Sequence, residues 1–158
     1  MDSYNYLIAK TDKEDKNEWL PLYMHLRDTA DVIKRIISTL PDSVIRASGL
    51  PEEDFRRTAI FLAAVHDIGK ATSYFQNIIT KNNDEWFETL NSAGYTVNRV
   101  YSYQGKTPHA YAGQWILESE EAPFEINAAI ADIVGAHHGK PFESGLDNDD
   151  LLQNYPQN

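Results

Sequence analysis

The chemistry of this chain is concentrated in its five histidines, His25, His66, His109, His137 and His138, and in Asp67, which directly follows one of them. Imidazoles sharing a carboxylate form a ligand set for borderline divalent metals such as iron, cobalt, nickel and zinc or, with more oxygen ligands, manganese. The spacing places every histidine at or near the end of an expected helix, so several helix tips could converge on one cleft. The strongest local element is His66-Asp67-Ile68-Gly69-Lys70. An aspartate at the end of an apolar helix is costly to bury unpaired and demands a metal or a hydrogen-bonding partner. On a continuing helix Lys70 lies one turn beyond both His66 and Asp67 and can face the same pocket, where a phosphate would meet metal and ammonium together. His137 and His138 form the second element; adjacent histidines serve one site only where the backbone turns sharply, which Gly139 permits.

Each signal has a plainer explanation when taken alone. A histidine–aspartate dipeptide is a short motif that arises often by chance. His25 and His109 could cap a helix or bond a backbone carbonyl, the adjacent pair could be a solvated loop, and Lys70 could simply meet the terminal carbonyls of its helix. Together these explanations require every histidine to reach a helix end by a separate accident. Gly105-Lys106-Thr107 imitates the end of a phosphate-binding loop, but the earlier glycine is replaced by Val100, which excludes an ATP site. Trp19, Trp86 and Trp115 are expected to pack rather than to stack on bases.

The elements that must position these residues follow from the apolar spacing. Leu26, Ala30, Ile33, Ile37 and Leu40 mark an amphipathic helix from His25 to Leu40, ended by Pro41. Pro51 with Glu52, Glu53 and Asp54 opens a second helix, whose run from Ala59 to Val65 leaves no polar face and predicts burial through the middle of the domain, with Gly69 closing it. Thr72 or Ser73 caps a third, carrying Phe75, Ile78 and Ile79; Trp86, Phe87 and Leu90 extend it or form another. A short β-hairpin is expected around residues 95–103. Thr107-Pro108 opens a helix to Glu118, and a last helix starts near Pro123 with the stripe Ile126, Ile130, Ile133 and His137. The expected class is all-α, or mainly α, with one domain over residues 1–141 and an acidic, poorly ordered tail over 142–158.

Composition narrows the function classes. The apolar fraction of 42% and charged fraction of 24% are those of an ordinary globular domain, and no apolar run is long enough to cross a bilayer. The absence of cysteine excludes disulfides, iron–sulfur clusters and thiolate zinc sites, and with no secretory leader a cytoplasmic setting is the expectation. A formal charge of -10 argues against binding nucleic acid through a broad basic footprint, unless bound cations or a basic partner domain supply positive charge where phosphates enter.

Five segments carry a resemblance: Tyr6-Leu7-Ile8-Ala9-Lys10; His25-Leu26-Arg27-Asp28-Thr29-Ala30; Ala64-Val65-His66-Asp67-Ile68-Gly69-Lys70-Ala71 followed by Phe75-Gln76; His109-Ala110-Tyr111-Ala112-Gly113; and Gly135-Ala136-His137-His138-Gly139. In these the chain resembles the N-terminal HD nuclease domain of the CRISPR-associated nuclease-helicase of type I interference systems. The resemblance implies an HD-domain-like helical fold and an endo- or exonuclease of antiviral defence that degrades single-stranded DNA opened by a guide-RNA surveillance complex, with a helicase domain as a further partner. It also implies one ion on His25, His66 and Asp67, a second on Asp67, His109, His137 and His138, and a phosphate-facing Lys70. The expected mechanism is two-metal hydrolysis with ions roughly 3.5–4 Å apart. One departure is that the family's domain continues beyond the histidine pair and supplies a further aspartate, whereas Asp147, Asp149 and Asp150 lack a comparable helical context; a fragment, a truncated product or a minimal variant is expected. Two rival expectations are an HD phosphohydrolase acting on nucleotides or cyclic nucleotides, and a non-catalytic HD fragment that binds the CRISPR machinery.

Overall fold

The computed structural model describes residues 3–15, 18–97, 108–119 and 126–139. The first amphipathic stretch forms α1, Leu22–Ile37, which buries Leu22, Ala30 and Ile37 and carries Lys34 and Arg35 in its last turn, where they complement the helix dipole. It begins three residues before His25, so that histidine stands in the first turn. It ends at Ile37, short of the expected Leu40, and Pro41 instead opens a short helix, α2, Asp42–Ala47, which the apolar spacing did not announce.

Pro51 sits just outside α3, Glu52–Val65, with Glu52, Glu53 and Asp54 in the first turn. Arg56 and Arg57 reach back to Glu52 and Glu53 at 2.9 Å and 2.8 Å, exposed pairs that contribute ~0.3–0.5 kcal/mol each. Two expectations for this helix are corrected. It does not run buried through the middle: only Ala63 is fully buried, and the remaining apolar residues from Ala59 to Val65 are half-covered. α1 packs on one side and the later helix Ala128–Gly135 near its end, and an apolar surface need not be wholly covered for a helix to be stable. The helix also stops at Val65 rather than at Gly69. The chain turns at Asp67 (φ -108°, ψ 17°) into a single 3-10 turn, Ile68–Ala71, which carries Lys70.

Thr72 caps α4, Ser73–Thr80, by accepting from the Phe75 amide, and Asn83 caps a separate helix, α5, Asp84–Ser92, by accepting from the Trp86 amide. Near the N-terminus, β1, Ile8–Thr11, pairs antiparallel with β2, Trp19–Pro21. The turn between them is set by the Asp12 carboxylate, which accepts from the amides of Glu14 and Asp15. Trp19 on β2 meets Trp86 on α5 edge to face, with ring centroids 4.5 Å apart. The hairpin expected around 95–103 falls largely outside the described residues, and Tyr95 to Val97 have no strand pairing. The tail from 142 to 158 lies outside them entirely.

Pro108 precedes α6, His109–Glu118, and Asn127 caps α7, Ala128–Gly135. These two helices enclose the buried cluster Leu117, Ala131 and Val134, against which Leu62, Val65, Ile68 and Ile126 pack. The buried face of α7 is therefore Ala131, Val134 and Gly135, whereas Ile133, expected in the buried stripe, is 54% exposed. Gly113 of α6 lies against Val134, so the side of α7 turned to α6 is the one carrying Val134 rather than Ile133.

Gln76 ties the hairpin to the Asp67 turn. It is 1% exposed, accepts from the Ile8 amide at 3.1 Å, and donates to the carbonyls of Ile8 at 2.9 Å and Lys70 at 2.7 Å. Replacing it with leucine keeps much of the volume but leaves three buried backbone groups without partners. The Gln76→Leu variant is expected to lose roughly 2–5 kcal/mol of stability in denaturant unfolding; a midpoint indistinguishable from the parent's would contradict this account.

Candidate metal centre

Four helix ends and one tight turn bring the chemistry together. His25 stands in the first turn of α1, His66 caps the C-terminus of α3, His109 is the first residue of α6, and His137 and His138 follow α7 in a turn closed by Gly139 at φ 91°. All face Asp67, which is 4% exposed. The approach depends on a glycine. A Cβ on Gly69 would collide with the carbonyl of His109 and come within 2.5 Å of the Gly113 nitrogen, so the 3-10 turn can lie against the start of α6 only without a side chain there. Gly69, expected merely to close a helix, thus seats Asp67 beside His109.

The two oxygens of Asp67 divide the surrounding groups. Oδ2 lies 2.8 Å from His25 Nε2, 3.3 Å from His66 Nε2 and 2.7 Å from Lys70 Nζ. Oδ1 lies 3.0 Å from His109 Nε2 and 3.3 Å from His137 Nε2. His138, more exposed, reaches His109 with 2.9 Å between their Nε2 atoms. Phe75 forms part of the wall, with its ring 5.7 Å from that of His109 and 5.6 Å from Lys70 Nζ. The apolar spacing had marked Phe75 only as a packing residue of α4.

The donor set fits a divalent cation better than it fits itself. Nδ1 of His66 lies 2.8 Å from the Ala63 carbonyl, and Nδ1 of His137 lies 2.7 Å from that of Val134. A carbonyl can only accept, so in each neutral ring Nδ1 carries the proton and Nε2 presents a lone pair to the carboxylate. Lone pairs facing carboxylate oxygens need a cation between them. His109 Nε2 is close to Oδ1 but off the direction of a hydrogen bond, and both Asp67 Oδ1 and His137 Nε2 are buried without a hydrogen-bond partner. Among the described residues two groups have ligand atoms mutually within 4.8 Å: His25, His66 and Asp67, and Asp67, His109, His137 and His138.

The electrostatics agree. Burial alone would raise the Asp67 carboxyl, but His109, His66 and the Lys70 ammonium outweigh it and hold the group well below the usual carboxylate range. The Asp67 contact raises His66 against its own burial. Burial, helped by the neighbouring His138 and His109, lowers His137 and keeps it in its neutral, ligating form. All six residues expected to bind metal, and Lys70, are therefore gathered at one place, whereas Asp147, Asp149 and Asp150 lie outside the described residues.

A mainly helical fold whose helix tips ring one buried aspartate with histidines defines an HD-type domain. The family model described as the Cas3 HD domain matches residues 9–157, and the chain belongs to that family. It is 32% identical over 97% of its length to the CRISPR-associated nuclease/helicase Cas3 of Streptococcus thermophilus, of which it covers 18%. It is 30% identical over 79% of its length to the CRISPR-associated endonuclease/helicase Cas3 of Thermus thermophilus, of which it covers 14%. The chain thus spans less than a fifth of the length of these curated relatives. No solved structure matches it significantly. Family membership supports a metal-dependent nuclease function, and among the described residues no helix is long and apolar enough to cross a membrane.

Ligand nitrogens must be unprotonated, so proton and metal compete. A raised pKa means that a group takes up its proton at a higher pH, so on acidification His66 protonates before His137. In the metal-free protein, the ring 15N signal of His66 is therefore expected to titrate at a higher pH than that of His137. A His137 ring that takes up its proton at the same pH as His66, or at a higher one, would contradict this ordering.

Proposed function

We propose that this domain hydrolyses phosphodiester bonds of single-stranded DNA at a centre that holds two divalent transition-metal ions. The observation that carries the reading is the division of the histidines between the two oxygens of a single buried carboxylate. Asp67 would bridge, with His25 and His66 holding one ion and His109, His137 and His138 the other. Ions bound there would supply Lewis acidity and a nucleophile at neutral pH.

The remaining work falls to the chain itself. Asp67 stays ionised throughout the physiological range and keeps both oxygens available as ligands. The carbonyls of Ala63 and Val134 hold His66 and His137 in the ligating tautomer and orientation. Lys70, paired with Asp67 Oδ2 at 2.7 Å, would exchange that oxygen for a phosphate oxygen of the substrate once cations satisfy the carboxylate, and so offset negative charge in the transition state. Bound cations also answer the objection raised by the net charge of -10, because they place positive charge where an anionic strand must enter.

All the residues in this scheme fall within 1–141, which we take as the working unit. The names of the relatives point to a helicase domain and a CRISPR effector complex as partners, and the guide-RNA surveillance complex would deliver the single strand.

With Mn2+, Ni2+ or Co2+ added, the protein is expected to cut circular single-stranded DNA. Asp67→Ala should abolish cutting, and Lys70→Ala should lower kcat by about 10²-fold, the loss typical of one electrostatic donor. Robust cleavage by Asp67→Ala would sink the scheme. Turnover of a nucleotide or cyclic-nucleotide panel with circular DNA left intact would move the substrate to small phosphoesters.

A further inference from the structure

The two helices that present His109, His137 and His138 pack through Leu117 of α6 and Ala131 and Val134 of α7, with Gly113 against Val134 and Gly135 against Gln114. Apolar burial is non-directional, so the register of α6 against α7 is fixed more sharply by a directional link. The structure contains one. Gln114 of α6 donates through Nε2 to Asp132 Oδ1 of α7 at 2.8 Å and to Glu118 Oε1 of its own helix at 3.1 Å. Both amide hydrogens are thus committed to carboxylates, which fixes the orientation of the group.

Its other end is more unusual. Gln114 Oε1 is buried without a hydrogen-bond partner and rests over Gly135, where any Cβ would collide with it. An amide oxygen buried without a donor is destabilising in itself, so the carboxylates must hold it in place. Gly135 lies two residues before His137, and α6 begins at His109. The same register that lets Gln114 reach Asp132 over Gly135 brings His109 and His138 to 2.9 Å. His25 and His66 stand on α1 and α3, to which no described hydrogen bond of Gln114 runs.

We infer that Gln114 is a positioning residue for one half of the centre: bridging to Asp132 and seated on Gly135, it sets the α6–α7 register that holds His109 against His137 and His138, and leaves the His25 and His66 half alone. The inference rests on the two-ion reading above, and its test separates the two. Wild type, Gln114→Ala, Gly135→Ala and, in case the alanine variant unfolds, Gln114→Met are titrated with Mn2+ by calorimetry. Their metal-free forms are compared by the 15N signals of their histidine rings.

One ion is expected to weaken about 10–100-fold in the variants, as when partners behind a ligand are removed, while the other is held as before. In the metal-free forms the ring signals of His109 and His138 should move and those of His25 and His66 should not. Gly135→Ala should act like Gln114→Ala, because its methyl group displaces the amide oxygen. Parallel weakening of both ions, or of neither, would overturn the assignment. If wild type holds fewer than two ions, the two-ion reading fails and the ring signals alone decide: movement confined to His109 and His138 upholds the register role, and unchanged signals refute it.

Discussion

Everything in this domain is arranged around the cost of burying one carboxylate. Asp67 is nearly inaccessible, and left to itself it would have to take up a proton or force the surrounding structure open. It does neither, because an ammonium and imidazoles from four separate segments stand within 3.3 Å of its oxygens. Those segments are distant in sequence, so the carboxylate acts as a tether for α1, α3, α6 and the turn after α7 alike. The arrangement is nevertheless incomplete, since two buried atoms at its centre have no hydrogen-bond partner. Positive charge beyond that of Lys70 is what the site lacks, and this shortage distinguishes a binding centre from a merely structural ion pair.

Such convergence needs backbone segments to approach more closely than side chains normally allow. Among the described residues, Gly69 against the start of α6 and Gly135 beneath Gln114 are the two places where a single methyl group could not be accommodated without movement. Two glutamines act as fasteners at these close approaches. Gln76 joins the N-terminal hairpin to the Asp67 turn, and Gln114 joins the helices that carry the later histidines. One centre is thus buttressed by a pair of neutral amides, which make directional contacts without adding charge beside a site that must attract cations.

How much of this could be read beforehand depended on range. The histidines and Asp67 were identifiable because a ligand's chemistry is intrinsic to its side chain, and because caps and prolines locate helix ends locally, as Thr72, Pro51 and Pro108 do here. Features that depend on a distant partner were not identifiable. Gln76 bonds to a residue 68 positions away, and the neighbour that makes Gly69 indispensable lies on another helix. Strands of four and three residues around Asp12 are too short for alternation to reveal. The outward turn of Ile133 depends on which side of α7 meets α6, which periodicity along α7 alone cannot see.

The anchoring of His66 and His137 has a kinetic side. Each ring is pinned by a carbonyl belonging to the last turn of its own helix, one of the groups every helix leaves unused at its end. Helix ends are also where a protein opens most readily. Loosening either terminal turn would free the ring attached to it, so the residence time of a cation held there would be tied to the fraying of α3 and α7 rather than to global unfolding.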